Sequence, residues 1–158
     1  MLKMREEKNI NLVRFLSSRV AFFDEMANIK NIDMSLDIHE EFDILFDTYE
    51  FERVVDNTIS NAIKYGFEDS FIDIILDITK DTYKLEIKNE GIEIADTNAI
   101  FGAYYQQKDK NIGLGLGLNI VKEICDKYNI KIEVNSQNNQ TTFSYIFPKN
   151  LIYKEENL

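Results

Sequence analysis

Apolar residues recur along this chain with two periods, and the switches between them mark its elements. Residues 13–28 carry Leu16, Val20, Phe23 and Ala27 at helical spacing. Residues 32–38, IDMSLDI, alternate apolar and polar positions, as a half-buried strand does. A second strand is predicted at 42–46, with His39 and Glu40 in the turn between them. Over 51–65, FERVVDNTISNAIKY, the helical period returns. At about 100° per residue, Phe51, Val55, Ile59, Ala62 and Ile63 share one apolar arc, and Asp47 and Thr48 supply the N-cap. Two strands follow Gly66, at 71–79 and 82–88, joined by a Lys80-Asp81 hairpin turn. Residues 89–94 form a turn, 99–105 are short and aromatic, and 106–112 are polar and aperiodic, as in a mobile loop. A third helix is predicted at 114–128, with Leu118, Val121 and Cys125 on one side and Ile124 and Tyr128 beside them. A last hairpin joins 130–134 to 141–147 and ends at Pro148, and residues 10–12 suit a short edge strand.

These elements sum to an α+β, two-layer sandwich: a mixed, mostly antiparallel sheet of about five or more strands, covered on one face by three helices. Residues 1–8 read as a linker or the end of a preceding helix, 9–149 as the domain, and 150–158 as a loose C-terminal tail.

Composition narrows the function. A chain of 158 residues with 44% apolar residues and one proline suits one ordered domain. A net charge of −10 argues against nucleic acid or an anionic membrane as a partner. An anionic ligand then needs local lysines and backbone N–H groups to outweigh the overall field. Cys125 is the single cysteine and sits on an apolar helix face, so it is read as a reduced core residue. His39 is the single histidine, which leaves no Cys/His metal cluster. No run of about 18 apolar residues exists to span a membrane, and the N-terminal MLKMREEKN lacks the apolar core of a signal peptide.

Two stretches carry candidate chemistry. Asn57 and Asn61 stand i, i+4 on the polar side of the 51–65 helix, and Lys64 follows three residues on, with Tyr65 at the edge. Their side chains can reach one ligand, although both asparagines suit a solvated helix face equally well. Asparagine is a mediocre helix former, so a helix needed only for the core has little use for it. The second stretch, GLGLGLNIV at 113–121, alternates Gly113, Gly115 and Gly117 with Leu114 and Leu116 before an apolar helix. Glycines let backbone approach a phosphate, and the helix start offers free N–H groups at its positive end. A dinucleotide fingerprint needs a buried strand directly before the glycines; here the polar QQKDKNI precedes them. A Walker-type loop needs Gly-Lys-Ser/Thr, which is absent.

The asparagine helix and the glycine stretch, in this order, resemble the ATP-binding catalytic domain of sensor histidine kinases, within the superfamily of gyrase, Hsp90 and MutL. The resemblance runs over roughly residues 9–149 and implies the Bergerat-type ATP-binding fold, with ATP and Mg²⁺ as cofactors. It implies Asn61 as the Mg²⁺ ligand, Asn57 at the phosphates as the catalytic position, Lys64 neutralising phosphate charge, and Tyr65 near adenine or ribose. In IKNEGIEI, residues 87–94, Asn89 stands where the family has an Asp that accepts from the adenine amino group. Gly91 matches the family's first glycine, Glu93 replaces the second, and Ile94 follows. A plain loop with Gly91 present for φ > 0 is the competing reading. IFGAYYQ, 100–106, is similar to the lid motif: Tyr104 and Tyr105 fit the clamping aromatics. Gln106 replaces a frequent Arg, and Lys108 and Lys110 can supply that charge. Tyr104 equally suits core packing. Gly113 to Gly117, with Leu114 and Leu116, would line the phosphates, and Thr142 before Phe143 resembles a threonine that holds adenine through water.

The implied function is binding Mg·ATP and donating its γ-phosphate to a histidine on a dimerisation domain that this chain lacks, with a cognate response regulator as onward partner. The chain by itself would be a monomer with little or no autokinase activity. It would be cytoplasmic, within a sensor that is often membrane-bound, without contacting the membrane itself. His39 lies in a strand-to-strand turn, unlike the family's helical acceptor. Three alternatives stay open. One is a stand-alone serine kinase of the anti-sigma-factor type. Another is a gyrase or MutL type ATPase, disfavoured because Asn57 occupies the place of its catalytic Glu. The third is a docking module that has lost its nucleotide.

Overall fold

The computed structural model describes residues 6–102 and 117–155. Strand β1 (Glu7–Asn11) turns directly into helix α1 (Leu12–Ile29), because Asn11 has extended backbone and its side chain accepts from Arg14 N at 3.0 Å. The buried residues of α1 are Leu12, Leu16, Phe23 and Ala27; of the stripe expected from the sequence, Val20 is only partly buried. Strands β2 (Asp33–Ile38) and β3 (Asp43–Asp47) follow. Asp47 then caps helix α2 (Thr48–Tyr65), accepting from Glu50 N at 3.0 Å.

Strands β4 (Phe71–Thr79) and β5 (Thr82–Glu90) form the predicted hairpin, with Lys80 and Asp81 both at positive φ (50° and 63°). Positive φ at both central residues matches the right-handed twist of the flanking strands. Helix α3 (Gly117–Lys127) leads to a second such hairpin, β6 (Lys131–Gln137) and β7 (Gln140–Phe147), turning at Asn138 and Asn139 (φ 54° and 59°).

Five strands make one mixed sheet in the order β2-β4-β5-β7-β6, parallel at β2–β4 and antiparallel elsewhere. The three described helices lie against one face of it, over Ile74, Leu76, Leu85, Ile87, Phe143 and Tyr145. The α+β sandwich expected from the sequence is the observed architecture. A small second sheet, β1-β3-β8, was not anticipated. Its strand β8 (Ile152–Tyr153) corrects the expected loose tail: Leu151 and Ile152 are only 4% and 9% exposed, and β8 pairs antiparallel with β3. Apolar burial beyond Pro148 is enough to order the chain there. Within 1–8, expected as a linker or the end of a preceding helix, Glu7 and Lys8 instead belong to β1, and the Glu6 N–H donates to the Asp47 carboxylate at 3.0 Å.

Helix α2 is the most constrained element. Arg19 of α1 forms a two-pronged pair with Asp56, at 2.8 and 2.6 Å. At the C-terminal end, Lys30 Nζ donates to three carbonyls, those of Ile63, Lys64 and Gly66, at 2.8 to 3.1 Å. These are acceptors that a helix end leaves without intrahelical partners, and a cation there also suits the negative end of the helix dipole. Below the helix, Thr58 Oγ1 lies 2.6 Å from the hydroxyl of the fully buried Tyr145, whose pKa burial pushes above its ordinary value.

Candidate functional site

Strand alternation places Asn89 with Leu85 and Ile87 on the helix-facing side of β5, and Thr141 with Phe143 and Tyr145 on that side of β7. The register pairs Asn89 directly with Thr141. Both polar residues are buried (6% and 3% exposed), where hydrophobic neighbours would be the rule. They border a narrow pocket between sheet and helix. Helix α2 supplies Asn61, Ala62 and Tyr65 to one wall, with Thr58 beneath. The sheet supplies Ile87 and Phe143, and the segment after β5 closes the side with Ile92 and Ile94. No charged side chain lines the cavity among the described residues.

That closing segment is pinned at each step. Gly91 N donates to Asn139 O (2.8 Å), Ile92 N to Tyr65 O (3.0 Å) and Ile94 N to Ser136 Oγ (2.8 Å). Ser136 Oγ in turn lies 2.7 Å from Thr141 Oγ1, so the segment and the buried threonine share one network. Gly91 also bridges to Gly66 at the end of α2. A Cβ on Gly91 would lie 2.3 Å from Tyr65 O and 2.8 Å from Asn89 Nδ2. Close approach of two chain segments, not a left-handed φ, is therefore what requires glycine there, contrary to the plain-loop reading.

One turn before Asn61 on α2, Asn57 faces the start of α3. A Cβ on Gly117 would meet Asn57 Oδ1 at 3.3 Å, so the glycine lets the two helices close on each other. Asn119, one turn-step into α3, donates its amide to Phe101 O at 3.3 Å and fixes that end of the helix.

A sequence model described as the histidine kinase-, DNA gyrase B- and HSP90-like ATPase family matches residues 46–151. The chain belongs to this family. Sensor histidine kinase YvrG of Bacillus subtilis (strain 168) is 30% identical over 151 residues, 91% of this chain and 26% of YvrG. Sensor histidine kinase WalK of the same organism is 30% identical over 157 residues, 93% of this chain and 25% of WalK. The chain thus spans about a quarter of the length of these relatives. Among solved structures, the nucleotide-free catalytic domain of histidine kinase ThkA superposes with a TM-score of 0.80 at 25% identity, covering 91% of this chain and 96% of that one. The resemblance read from the asparagine helix and the glycine stretch is therefore correct, and the fold is that of a histidine kinase ATP-binding catalytic domain.

Within this histidine kinase-type domain, the structure brings together Asn61, Tyr65, Asn89 and Ile94 around the cavity, with Gly91 packed against Asn89 and Tyr65, while Asn57, one turn before Asn61, lies against Gly117. Lys64 does not line the cavity; its ammonium stands 5.7 Å from the Tyr65 ring centroid, and partial burial lowers its pKa. Glu93 is exposed and leaves the lining to Ile92 and Ile94. Thr142 requires a correction: it sits on the outer face of the sheet, beside Glu86, Lys88 and Ser144. Its neighbour Thr141 is the threonine at the cavity. Side chains alternate across a strand, so a residue adjacent to the inward Phe143 has to point outward; that signal was present in the sequence. Tyr105, Lys108, Lys110, Gly113, Leu114, Gly115 and Leu116 lie outside the described residues. Sequence reasoning also missed Thr58, Ala62, Ile87, Ile92 and Phe143 as lining residues, since each reads as ordinary core.

Proposed function

We propose that this chain binds Mg·ATP and passes the γ-phosphoryl group to a histidine on a separate dimerisation domain, from which a response regulator takes it. The observation that carries this reading is the neutral, largely apolar cavity with buried Asn89 and Thr141 at its polar edge; Asn57, one turn before the cavity-lining Asn61, packs beside Gly117 at the start of α3. Flat apolar walls from Ile87, Ile92, Ile94 and Phe143 suit the faces of a purine, and the two polar residues suit its edge. The start of α3 offers backbone N–H groups and a partial positive charge to phosphates. Asn57 is within reach of that end, and we assign it to positioning the phosphates.

Asn61 presents a hard, neutral oxygen donor beside the cavity, which suits Mg²⁺ without adding negative charge near a triphosphate. When bound, the cation neutralises charge on the β- and γ-phosphates. Phosphoryl transfer asks the protein mainly for positioning and charge compensation. No carboxylate among the described residues lines the cavity to activate water. Asp56, next to Asn57, is occupied by Arg19 on the α1 side. This favours transfer to an imidazole over the hydrolysis of a gyrase-type ATPase. His39 is unsuited as the acceptor. It is hydrogen-bonded to Asp37 (2.9 Å) and faces Asp77 (3.6 Å), so its ring is engaged in a strand-to-strand turn, and these carboxylates raise its pKa. Histidine kinase ThkA has been solved in complex with the response regulator TrrA, which supports a partner of that class here. A cytoplasmic setting, as the kinase part of a sensor, fits the need for ATP.

The test is Asn61→Ala. Binding of a non-hydrolysable ATP analogue should lose its response to Mg²⁺ while far-UV circular dichroism stays that of the wild type. A folded Asn61→Ala protein with the wild-type Mg²⁺ response would rule out the metal role.

A further inference from the structure

We propose that the base end of the cavity accepts 6-oxopurine nucleotides, those of inosine and guanosine, as well as adenine nucleotides. The proposal rests on the nucleotide-binding reading above and concerns which bases that site admits.

Consider the polar groups the cavity leaves for a base edge. Thr58 is committed, since its hydroxyl donates to Val54 O at 2.7 Å and meets the Tyr145 hydroxyl at 2.6 Å. Asn89 and Thr141 remain, paired across β5 and β7, with Asn61 farther along α2. Each of these can donate or accept. An amide offers an oxygen acceptor and an NH₂ donor of nearly equal shape, and a half-turn about its last torsion exchanges them. No other described residue hydrogen-bonds the Asn89 side chain, so no described partner fixes its polarity. The glycine at position 91 keeps the space beside its Nδ2 open.

Thr141 is equally two-sided. Ser136 Oγ accepts from Ile94 N, which leaves the Ser136 proton free to point at Thr141. Thr141 then donates into the cavity. With the proton of Thr141 turned toward Ser136 instead, Thr141 accepts from the cavity. The relay reverses without moving a heavy atom.

Adenine presents a donor at C6 and an acceptor at N1; a 6-oxopurine presents an acceptor at C6 and a donor at N1. A carboxylate at position 89 could only accept. It would face the keto oxygen with lone pairs on both sides, and fixed polarity of that kind can reject a mismatched ligand by about 10⁴ or more. The neutral, reversible edge built from Asn89 and Thr141 carries no such rejection. Its cost is a weaker, uncharged bond to the adenine amino group.

The experiment is calorimetric titration of the chain with ADP, IDP and GDP. IDP carries the keto edge without the 2-amino group, so it reads polarity alone. We expect IDP and GDP to bind within about tenfold of ADP. In Asn89→Asp, ADP should tighten and IDP weaken, moving their ratio by about a thousandfold or more. Wild-type binding of ADP with IDP more than about a hundredfold weaker would overturn the proposal while leaving the nucleotide reading intact. IDP binding with GDP excluded would overturn its extension to guanine. An unchanged ADP-to-IDP ratio in a folded Asn89→Asp protein would remove Asn89 as the determinant. If Asn89→Asp fails to fold, the wild-type titration decides by itself. Failure of all three nucleotides would refute the nucleotide reading itself.

Discussion

Replacing Gly91 with alanine should damage both the fold and the site, and the structure sets the size of the effect. The new Cβ would lie 2.3 Å from Tyr65 O, 2.8 Å from Asn89 Nδ2 and 2.9 Å from Gly66 Cα. Contacts of this kind settle at about 3.5 Å, so backbone must give by roughly 1 Å. Two of the three obstructing atoms are main chain, which cannot swing aside as a side chain would. Overpacking of this sort costs about 1–3 kcal/mol. Moving the segment also strains the Gly91–Asn139 and Ile92–Tyr65 hydrogen bonds, each worth about 0.5–1.5 kcal/mol. The sum is roughly 2–6 kcal/mol, or about 4–24 °C in Tm for a domain of this size. No left-handed φ is involved, so the loss is steric alone. Urea unfolding followed by circular dichroism measures it, and ADP titration reads the displacement of Ile92 and Ile94 from the cavity. Gly102→Ala is the control: among the described residues its Cβ would meet only Ala99 O, at 3.3 Å, and it should change stability by less than about 1 kcal/mol. A Gly91→Ala protein within about 0.5 kcal/mol of wild type, with unaltered ADP affinity, would refute the reasoning.

Other consequences can be measured directly. Lys30→Met should remove the cation from three carbonyls at the end of α2 and cost about 1–2 kcal/mol, with hydrogen exchange accelerating first in the last turn of that helix. His39, the only histidine, should titrate by NMR above 6.5, because its hydrogen bond to Asp37, the charge of Asp37 and that of Asp77 favour the imidazolium. Its stabilising contribution is then complete below the ordinary value and disappears as pH rises through the raised one; Asp37→Asn should bring the midpoint down, and an unmoved midpoint would discard the pairing. The Cys125 thiol is buried and its pKa pushed up to about 12, so it should resist disulfide reagents at pH 8 until the protein unfolds. Stoichiometric labelling of the folded protein would contradict that burial.

The apolar arc of α2 and the alternation of β4, β5 and β7 were legible because each element buries one face, and burial leaves its period in the sequence. Asn61 stood out because asparagine is a mediocre helix former in mid-helix, and Asn89 through the family resemblance; both line the cavity. What stayed hidden needed three dimensions. The tail read as loose because Ile152 pairs with β3, more than a hundred residues earlier in the chain, and is buried with Leu151. Thr58 and Ala62 look like core until the cavity beside them is seen. Gly91 looked like a turn residue, whereas its necessity comes from Tyr65 and Gly66 on another element. Thr142 was a misreading of a signal the strand period already carried.

The central claim is tested most directly by titrating the chain calorimetrically with ADP and a non-hydrolysable ATP analogue, each with and without Mg²⁺. A histidine kinase-type catalytic domain with this cavity should bind both saturably, one nucleotide per chain, with Mg²⁺ altering the affinity. Absence of heat and of competition at millimolar nucleotide, from a protein whose circular dichroism is that of the folded domain, would contradict the account and leave a docking role for the fold.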